Sequence, residues 1–560
     1  MPPGNPARTP PASPRPPRHT PRGVRGLVAL AAGALPALAF PAPALWWLAY
    51  AALVPWLLLV RSAPTGRRAA WDGWLGGVGF LLAVHHWLLP VLHGFIVLVA
   101  IGLGALWAPW GWLAHRLLGP GSAGGRRASA ALVLLPCGWL MVELVRSWQY
   151  LGGPWGLLGA SQWQVAPVLR LVSLGGVWLA SLLVVAVNTA LVVLLVLPRA
   201  RRAAVVGLVG CATGVAGVWA WSPAPQAAGT VRVALVQPGM IDGGGPRFDR
   251  EETLTRELAG RGVSLVVWGE SSVGGDLVER PDLRQRLATL SRQVGAELLV
   301  NVDAKRPGQP GVYKSSVLVG PRGPIGERYD KMRLVPFGEY VPARSLLGWS
   351  TSVGQAAEVD RRRGARSVVM RVPDTRRARL PARRPAGAGT APAPASAAGL
   401  RLGPLVCFES AFPDMSRRLV RNGAQLLVAQ AATASFQHSW APAQHASLAA
   451  LRAAETWRPT AHATLTGTSA VFGPRGAPVG GRLDTRRSAA AVYDVPLADG
   501  TSPYVRFGDW PLYGAIATLL VAGAVAGGRA RRRRAEAGRR LDPRQRPRRD
   551  ADSADSPVGS

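Results

Sequence analysis

Between Met1 and Gln226 the chain holds only two acidic residues, Asp72 and Glu143. A water-facing surface needs many more carboxylates than that, so this part of the chain does not fold as a soluble domain. Apolar runs recur through it, each near the ~20 residues that cross a bilayer. They fall at 26–41, 43–60, 71–90, 91–114, 129–147, 168–197 and 203–221. The third and fourth are almost continuous and break only near Pro90 and His93. An eighth run, 512–528, comes late and leads into Arg529, Arg531, Arg532, Arg533 and Arg534.

Charge placement gives these runs a direction. The 65 Lys and Arg against 31 Asp and Glu leave a net charge of +34, which on a soluble chain would point to nucleic acid. Here the arginines sit between apolar runs and in the tails, as in membrane loops, so no nucleic-acid partner is expected. Arg61, Arg67 and Arg68 follow the second run, Arg116, Arg126 and Arg127 the fourth, and Arg199, Arg201 and Arg202 the sixth. Basic loops stay in the cytoplasm, so both termini are expected there, and seven crossings carry 228–510 to the other side. Residues 1–25, rich in Pro and Arg, read as a disordered cytoplasmic tail without a cleavable signal peptide. Residues 529–560 read as a second, basic, disordered tail, both tails meeting anionic lipid. Three cysteines exclude a disulfide-stapled scaffold.

The domain expected at 228–510 has ordinary charge density. Val231–Val236, Val263–Trp268, Glu297–Val302, Ser315–Val319, Leu402–Cys407 and Gln425–Ala429 read as buried strands. Helical patterns lie between several of them, at 250–261, 281–294 and 441–457, which makes a layered α/β domain. Residues 373–399 read as a disordered insertion.

Three pieces of this domain could carry chemistry. Leu265–Ser271 ends an apolar strand on Trp268-Gly269-Glu270-Ser271, where apolar walls would raise a carboxyl toward the range of a general base. Arg328-Tyr329-Asp330-Lys331 precedes the run Leu334-Val335-Pro336-Phe337-Gly338-Glu339-Tyr340-Val341-Pro342. Leu405-Val406-Cys407-Phe408-Glu409 ends a strand on a thiol, which as thiolate could attack a carbonyl. Singly each is ordinary: a core cysteine, a solvated cap, a surface ion pair. The order Glu, Lys, Cys is more selective, and Lys is scarce here: Lys305, Lys314 and Lys331 are the only three.

These motifs resemble the carbon–nitrogen hydrolase (nitrilase) superfamily. The nine residues from Leu334 to Pro342, set in a multi-pass chain, resemble the apolipoprotein N-acyltransferase family within it. Trp139, Glu143, Arg146, Gly153-Pro154-Trp155 and Ser161-Gln162 match the membrane half of that pattern, and the likeness spans roughly 26–528 without 373–399. It implies about eight transmembrane helices carrying an αββα sandwich that faces away from the cytoplasm. It implies Cys407 as nucleophile, Glu270 as general base, Lys331 as the cation beside the oxyanion, and Glu339 as a second carboxylate. Phe408 would lend its backbone N–H to the oxyanion, and Glu409 completes the motif. The implied donor is a phospholipid and the implied acceptor the α-amine of a lipoprotein's N-terminal diacylglyceryl-cysteine, with a Cys thioester between them. No cofactor and no metal are implied.

The chain departs from the family pattern in three places. Gly269 stands where Pro is usual, Lys314 where Asn is usual, and Ala431-Ala432-Thr433-Ala434-Ser435-Phe436 where Asn residues are common. Two alternatives therefore stand beside the acyltransferase: a membrane-anchored amidase, and a divergent paralogue that binds lipid or scaffolds a partner. Trp148, Trp155 and Trp163 read as an interfacial aromatic belt, with direct contact to lipid substrates as the alternative. His85, His86, Cys137 and Cys211 read as packing residues of membrane segments.

Overall fold

The computed structural model describes residues 22–120, 125–306, 309–342, 344–348, 360–373 and 399–540. Most of both expected tails and of the 373–399 insertion lies outside the described residues. The first half is helical: α1 (Arg22–Ala34), α2 (Val54–Arg61), α3 (Gly66–His85), α4 (Leu89–Leu92), α5 (Phe95–Gly104), α6 (Trp107–Leu118), α7 (Gly125–Arg146), α8 (Ala166–Val196) and α9 (Arg201–Trp221). Five described helical stretches are long and apolar enough to cross a bilayer: Gly66–Leu92, Gly125–Arg146, Ala166–Val196, Pro198–Trp221 and Trp510–Glu536. A sixth arises if Phe95–Gly104 and Trp107–Leu118, bent by 40°, form one span. Gly23–Ala39 and Trp46–Arg61 are apolar but shorter. All eight expected segments are thus largely helical, while five or six have the length of a full crossing.

Small residues let these helices approach. A methyl on Gly76 would lie 2.0 Å from the Trp56 ring, so α3 runs through the middle of the bundle. Trp56, Trp107, Trp110 and Trp139 fill that middle with ring centroids 5.2–6.4 Å apart. Glu143 and Arg146, at the end of α7, hold the following loop. Glu143 accepts from Trp139 Nε1 at 2.9 Å and from the Leu158 N–H at 2.7 Å. Arg146 donates to the carbonyls of Trp155 and Gly156.

Among its described residues the second half holds thirteen strands: β1 (Gln226–Gln237), β2 (Leu265–Trp268), β3 (Glu297–Arg306), β4 (Gln309–Gly320), β5 (Gly323–Pro324), β6 (Tyr329–Asp330), β7 (Met370–Val372), β8 (Leu400–Val406), β9 (Leu426–Ala431), β10 (Thr460–Thr464), β11 (Ser469–Phe472), β12 (Pro478–Leu483) and β13 (Ala489–Asp499). One sheet runs β13-β1-β2-β3-β4-β5 with β6 also on β4, and the other runs β12-β11-β10-β9-β8-β7. The central neighbours β1-β2-β3 and β8-β9-β10 are parallel and buried where they pair, as strands covered on both faces must be. Period-two alternation splits their side chains. Val233, Leu235, Leu265 and Val267 meet Leu402, Val406, Leu426 and Val428 between the sheets. Ala234, Val236 and Val266 face outward under α10 (Gly244–Arg256) and α11 (Pro281–Val294).

After the short α12 (Arg344–Leu347), α13 (Pro413–Arg421) and α14 (Ala441–Thr456) cover the outer face of the second sheet and complete an αββα sandwich. That helical layer is also the seam with the membrane half. The helix α8 breaks at Gly176, φ 69°, where a methyl would lie 2.6 Å from the Tyr504 ring of α15 (Pro503–Phe507). The break frees the Val177 N–H to donate to Glu455 of α14 at 2.9 Å, and Arg452 pairs with Glu455 at 2.8 Å. The last helix, α16 (Trp510–Arg540), carries the basic run out of the fold, so 529–540 of the tail expected to be disordered continues the helix instead.

Candidate active site

Parallel strands end on the same side of each sheet, and the candidate residues sit at those ends. Glu270 follows β2 after Gly269, and Cys407 follows β8. Both turns are tight. Ser271 has φ 59° and Cys407 φ 51°, left-handed conformations that cost a non-glycine residue ~1–3 kcal/mol and persist only where surroundings fix them. The Glu270 N–H donates to the Ala431 carbonyl at 3.1 Å, and the Ser271 N–H to Asn301 Oδ1 at 2.9 Å. A methyl on Gly269 would lie 2.2 Å from the Leu465 nitrogen, so the departure from Pro at 269 accompanies a close approach of backbones.

Lys331 sits between carboxylates. Its Nζ lies 3.0 Å from Glu270 Oε1 and 2.8 Å from Glu339 Oε1, with the lysine 1% exposed. The other oxygen of Glu339 accepts the Val335 N–H at 2.8 Å, which closes the loop of the nine-residue run on itself. The structure therefore brings Glu270, Lys331 and Glu339 into contact, and the Cys407 thiol interacts with the Glu270 carboxylate. Cys407 remains partly accessible.

The protonation pattern follows. Burial pushes Glu270 upward, but Lys331 and then Lys314 outweigh it and hold the carboxyl below its ordinary value. The upward shift expected for this carboxyl is thus corrected: burial does push it up, but the charges of two ammonium groups outweigh that push. Burial works against the Lys331 cation, yet Glu270 and Glu339 raise its pKa well above the usual lysine value. Burial, then Glu270, raise the Cys407 thiol. The resting site is a neutral thiol beside a carboxylate and an ammonium.

Glu409 is wholly buried and links the two motifs. Oε1 accepts Tyr329 Oη at 2.8 Å, the Met332 N–H at 2.6 Å and the Arg333 N–H at 3.0 Å, and Oε2 accepts the Val406 N–H at 2.8 Å. It ties the segment carrying Lys331 to the strand end carrying Cys407. Phe408 turns its ring edge-on to Phe412, centroids 4.9 Å apart, and a methyl on Gly153 would touch both rings within 2.7 Å. The loop after α7 thus lies directly against the turn that carries Cys407. Beside it is a cavity of about 420 Å³ lined by apolar residues such as Leu144, Trp148 and Phe412 and by the charged Arg333, Asp414 and Asp509.

Lys314 is buried and donates to Ser271 Oγ at 2.5 Å while pairing with Asp303 at 2.6 Å. Gln430, just before the altered stretch, accepts from Ser316 at 2.5 Å and donates to the Trp268 carbonyl at 2.9 Å, which joins the two sheets. Trp148 is exposed, but Trp155 is buried with its Nε1 on Gln444 Oε1 at 2.8 Å, so it does not belong to an interfacial belt. The sequence reading missed His445, whose Nε2 lies 3.1 Å from the Cys407 carbonyl oxygen. Its available signal was a lone imidazole in the apolar stretch of a predicted helix. No group of three or more His, Cys, Asp or Glu poised for a metal occurs among the described residues.

The two-sheet sandwich and its Glu–Lys–Cys cluster define a nitrilase-like carbon–nitrogen hydrolase domain seated on apolar helices. Residues 232–502 match the family model of carbon-nitrogen hydrolases, and residues 32–190 that of the apolipoprotein N-acyltransferase N-terminal domain. The apolipoprotein N-acyltransferase of Azotobacter vinelandii is 33% identical over 539 residues, covering 90% of this chain and 96% of that one. Its counterpart in Geobacter metallireducens is 29% identical over 529 residues, covering 89% and 95%. An amidase structure from Nesterenkonia sp. matches at 20% identity over 52% of this chain and 98% of that one, with a TM-score of 0.33, too low to bear on the fold. The chain belongs to the apolipoprotein N-acyltransferase family. It is an acyltransferase of lipoprotein biosynthesis and a membrane protein.

Proposed function

We propose that this protein moves an acyl chain from a phospholipid to the free α-amine of a lipoprotein's N-terminal diacylglyceryl-cysteine, through a thioester on Cys407. The observation that carries this reading is the contact of Lys331 with both Glu270 and Glu339 beside the Cys407 thiol. In the first half-reaction Glu270 takes the thiol proton as sulfur attacks the ester carbonyl. Charge develops on the carbonyl oxygen, stabilised by the Lys331 ammonium and the Phe408 N–H. The ester C–O bond breaks, and Glu270 returns the proton to the departing lysophospholipid oxygen. In the second half the neutral amine attacks the thioester and loses a proton to Glu270. The C–S bond breaks, and the sulfur recovers that proton as the amide leaves. Glu339 holds Lys331 in place, and Glu409 holds the two motifs together.

In the same reading the bent pair counts as one span, and the two shorter apolar helices complete eight crossings. The seven helices of 26–221 and the last helix, 512–528, then place the catalytic domain 228–510 outside the cytoplasm and both termini inside. The cavity beside Phe412, at the junction with α7, α8 and α16, suits sideways entry of lipid.

The test is reconstitution of the full chain in phospholipid vesicles with a diacylglyceryl lipopeptide. The reading requires a new amide at the peptide's N-terminus and one lysophospholipid per amide. Release of free fatty acid or hydrolysis of a small amide, without peptide acylation, would favour the amidase.

A further inference from the structure

The carbonyl oxygen of Cys407 is held from two sides. His445 Nε2 lies 3.1 Å from it and Ser410 Oγ 2.9 Å, and those two side-chain atoms are 3.0 Å apart. A carbonyl oxygen only accepts, so the His445 nitrogen facing it carries the proton, and the Ser410 hydroxyl turns its proton to the same oxygen. The imidazole is 1% exposed, and burial pushes its pKa down to about 4, so it is a neutral ring with one N–H.

Its neighbours hold the ring still. The His462 ring lies edge-on at 4.7 Å and the Trp155 ring at 5.2 Å. The preceding residue, Gln444, accepts from both Trp87 Nε1 at 3.2 Å and Trp155 Nε1 at 2.8 Å, which clamps the start of α14 to the membrane half.

A trans peptide is planar, so the C=O of Cys407 and the N–H of Phe408 point in opposite directions in one plane. Whatever fixes the carbonyl therefore aims the N–H. The Cys407 backbone is left-handed, so nothing in its own preference maintains that plane.

We infer that His445, assisted by Ser410, is a positioning residue that aims the Phe408 N–H at the oxyanion by holding the Cys407 carbonyl from behind. This rests on the acyl-transfer reading for the role of that N–H. His445 does not touch the reacting atoms; it acts through one peptide plane.

The experiment compares two reactions of Cys407 in the full-length protein. Acylation by a p-nitrophenyl fatty ester builds an oxyanion, whereas alkylation by iodoacetamide builds none. His445→Leu should slow acylation on the order of 100-fold, the scale of losing an oxyanion donor, with KM little changed and alkylation within about twofold. His445→Gln, which keeps an N–H donor at similar reach, should recover most of the loss. Ser410→Ala should slow acylation several-fold and leave alkylation alone, and it carries the test if His445→Leu does not fold.

Wild-type acylation in His445→Leu, equal losses in both reactions, or a Gln variant as slow as Leu would each overturn the inference. So would an unaffected Ser410→Ala where the Leu variant does not fold, or a wild-type protein that the ester does not acylate. A wild-type protein acylated by the p-nitrophenyl ester but not by phospholipid would defeat the proposed donor and leave this inference to be judged on the ester.

Discussion

Replacing Glu409 by Gln tests the link between the two motifs with almost no change in shape. The carboxylate accepts four hydrogen bonds, three of them from backbone N–H groups, in a fully buried position. An amide keeps one acceptor oxygen. If that oxygen takes the place of Oε1, the new NH₂ faces the Val406 N–H, and two donors are left without acceptors. Each unsatisfied buried donor costs ~1–3 kcal/mol, so the loss for two is about 2–6 kcal/mol. At roughly 2–4 °C per kcal/mol for a domain of moderate size, melting of the detergent-solubilised protein should fall on the order of 5 °C or more. The same change loosens the segment that carries Lys331. A misplacement near 1 Å costs ~100-fold in rate, so acyl-enzyme formation should fall by about that factor. Melting followed by intrinsic tryptophan fluorescence and single-turnover acylation measure the two effects. A variant with wild-type melting and wild-type acylation would refute the claim that Glu409 staples the site.

Lys331→Arg should lose at least ~100-fold in acylation, since a planar guanidinium cannot occupy the point between Glu270 and Glu339; rates within a few-fold of wild type, measured by acyl-enzyme burst, would remove the oxyanion role. Gly269→Ala should destabilise by a few kcal/mol, the scale of an overpacked core, because the added methyl meets backbone at 2.2 Å; unchanged melting would contradict the close approach. Because Glu270 is held below its ordinary pKa, its stabilising contribution is present above the usual carboxylate range and lost as pH falls through the lowered value. The acid limb of acylation should therefore lie below pH ~4.5, and Lys331→Met should move it upward; a limb that stays put in that variant would show that Lys331 does not set it.

Much of this architecture was legible because it rests on repeating patterns. Apolar run length, the two lone carboxylates of the first half and the Arg loops gave the helical half, and apolar runs of five or six residues gave β1 to β4, β8 and β9. Segment lengths were harder to read. The break at Pro90 and His93 was visible, but the bend between α5 and α6 follows no proline between them. Strands β10 to β13 escaped notice, since Thr460–Thr464 and Ala489–Asp499 mix polar and small residues that gain their burial only from neighbouring strands. Glu270, Lys331, Glu339 and Cys407 were readable as motifs. The direction of the Glu270 shift was not, because it depends on two ammonium groups brought in from other parts of the chain. His445 was silent for the same reason: its partner is a backbone carbonyl 38 positions away, which leaves no mark in sequence spacing.

The most direct test of the account is the mass of the enzyme itself after mixing with vesicles of a phospholipid bearing a labelled acyl chain. The account predicts one labelled chain on the peptide containing Cys407, labile to hydroxylamine, absent from Cys407→Ala, and discharged as amide when a diacylglyceryl lipopeptide is added. Label on another residue, label persisting in Cys407→Ala, or peptide acylation with no charged enzyme at any time would contradict it.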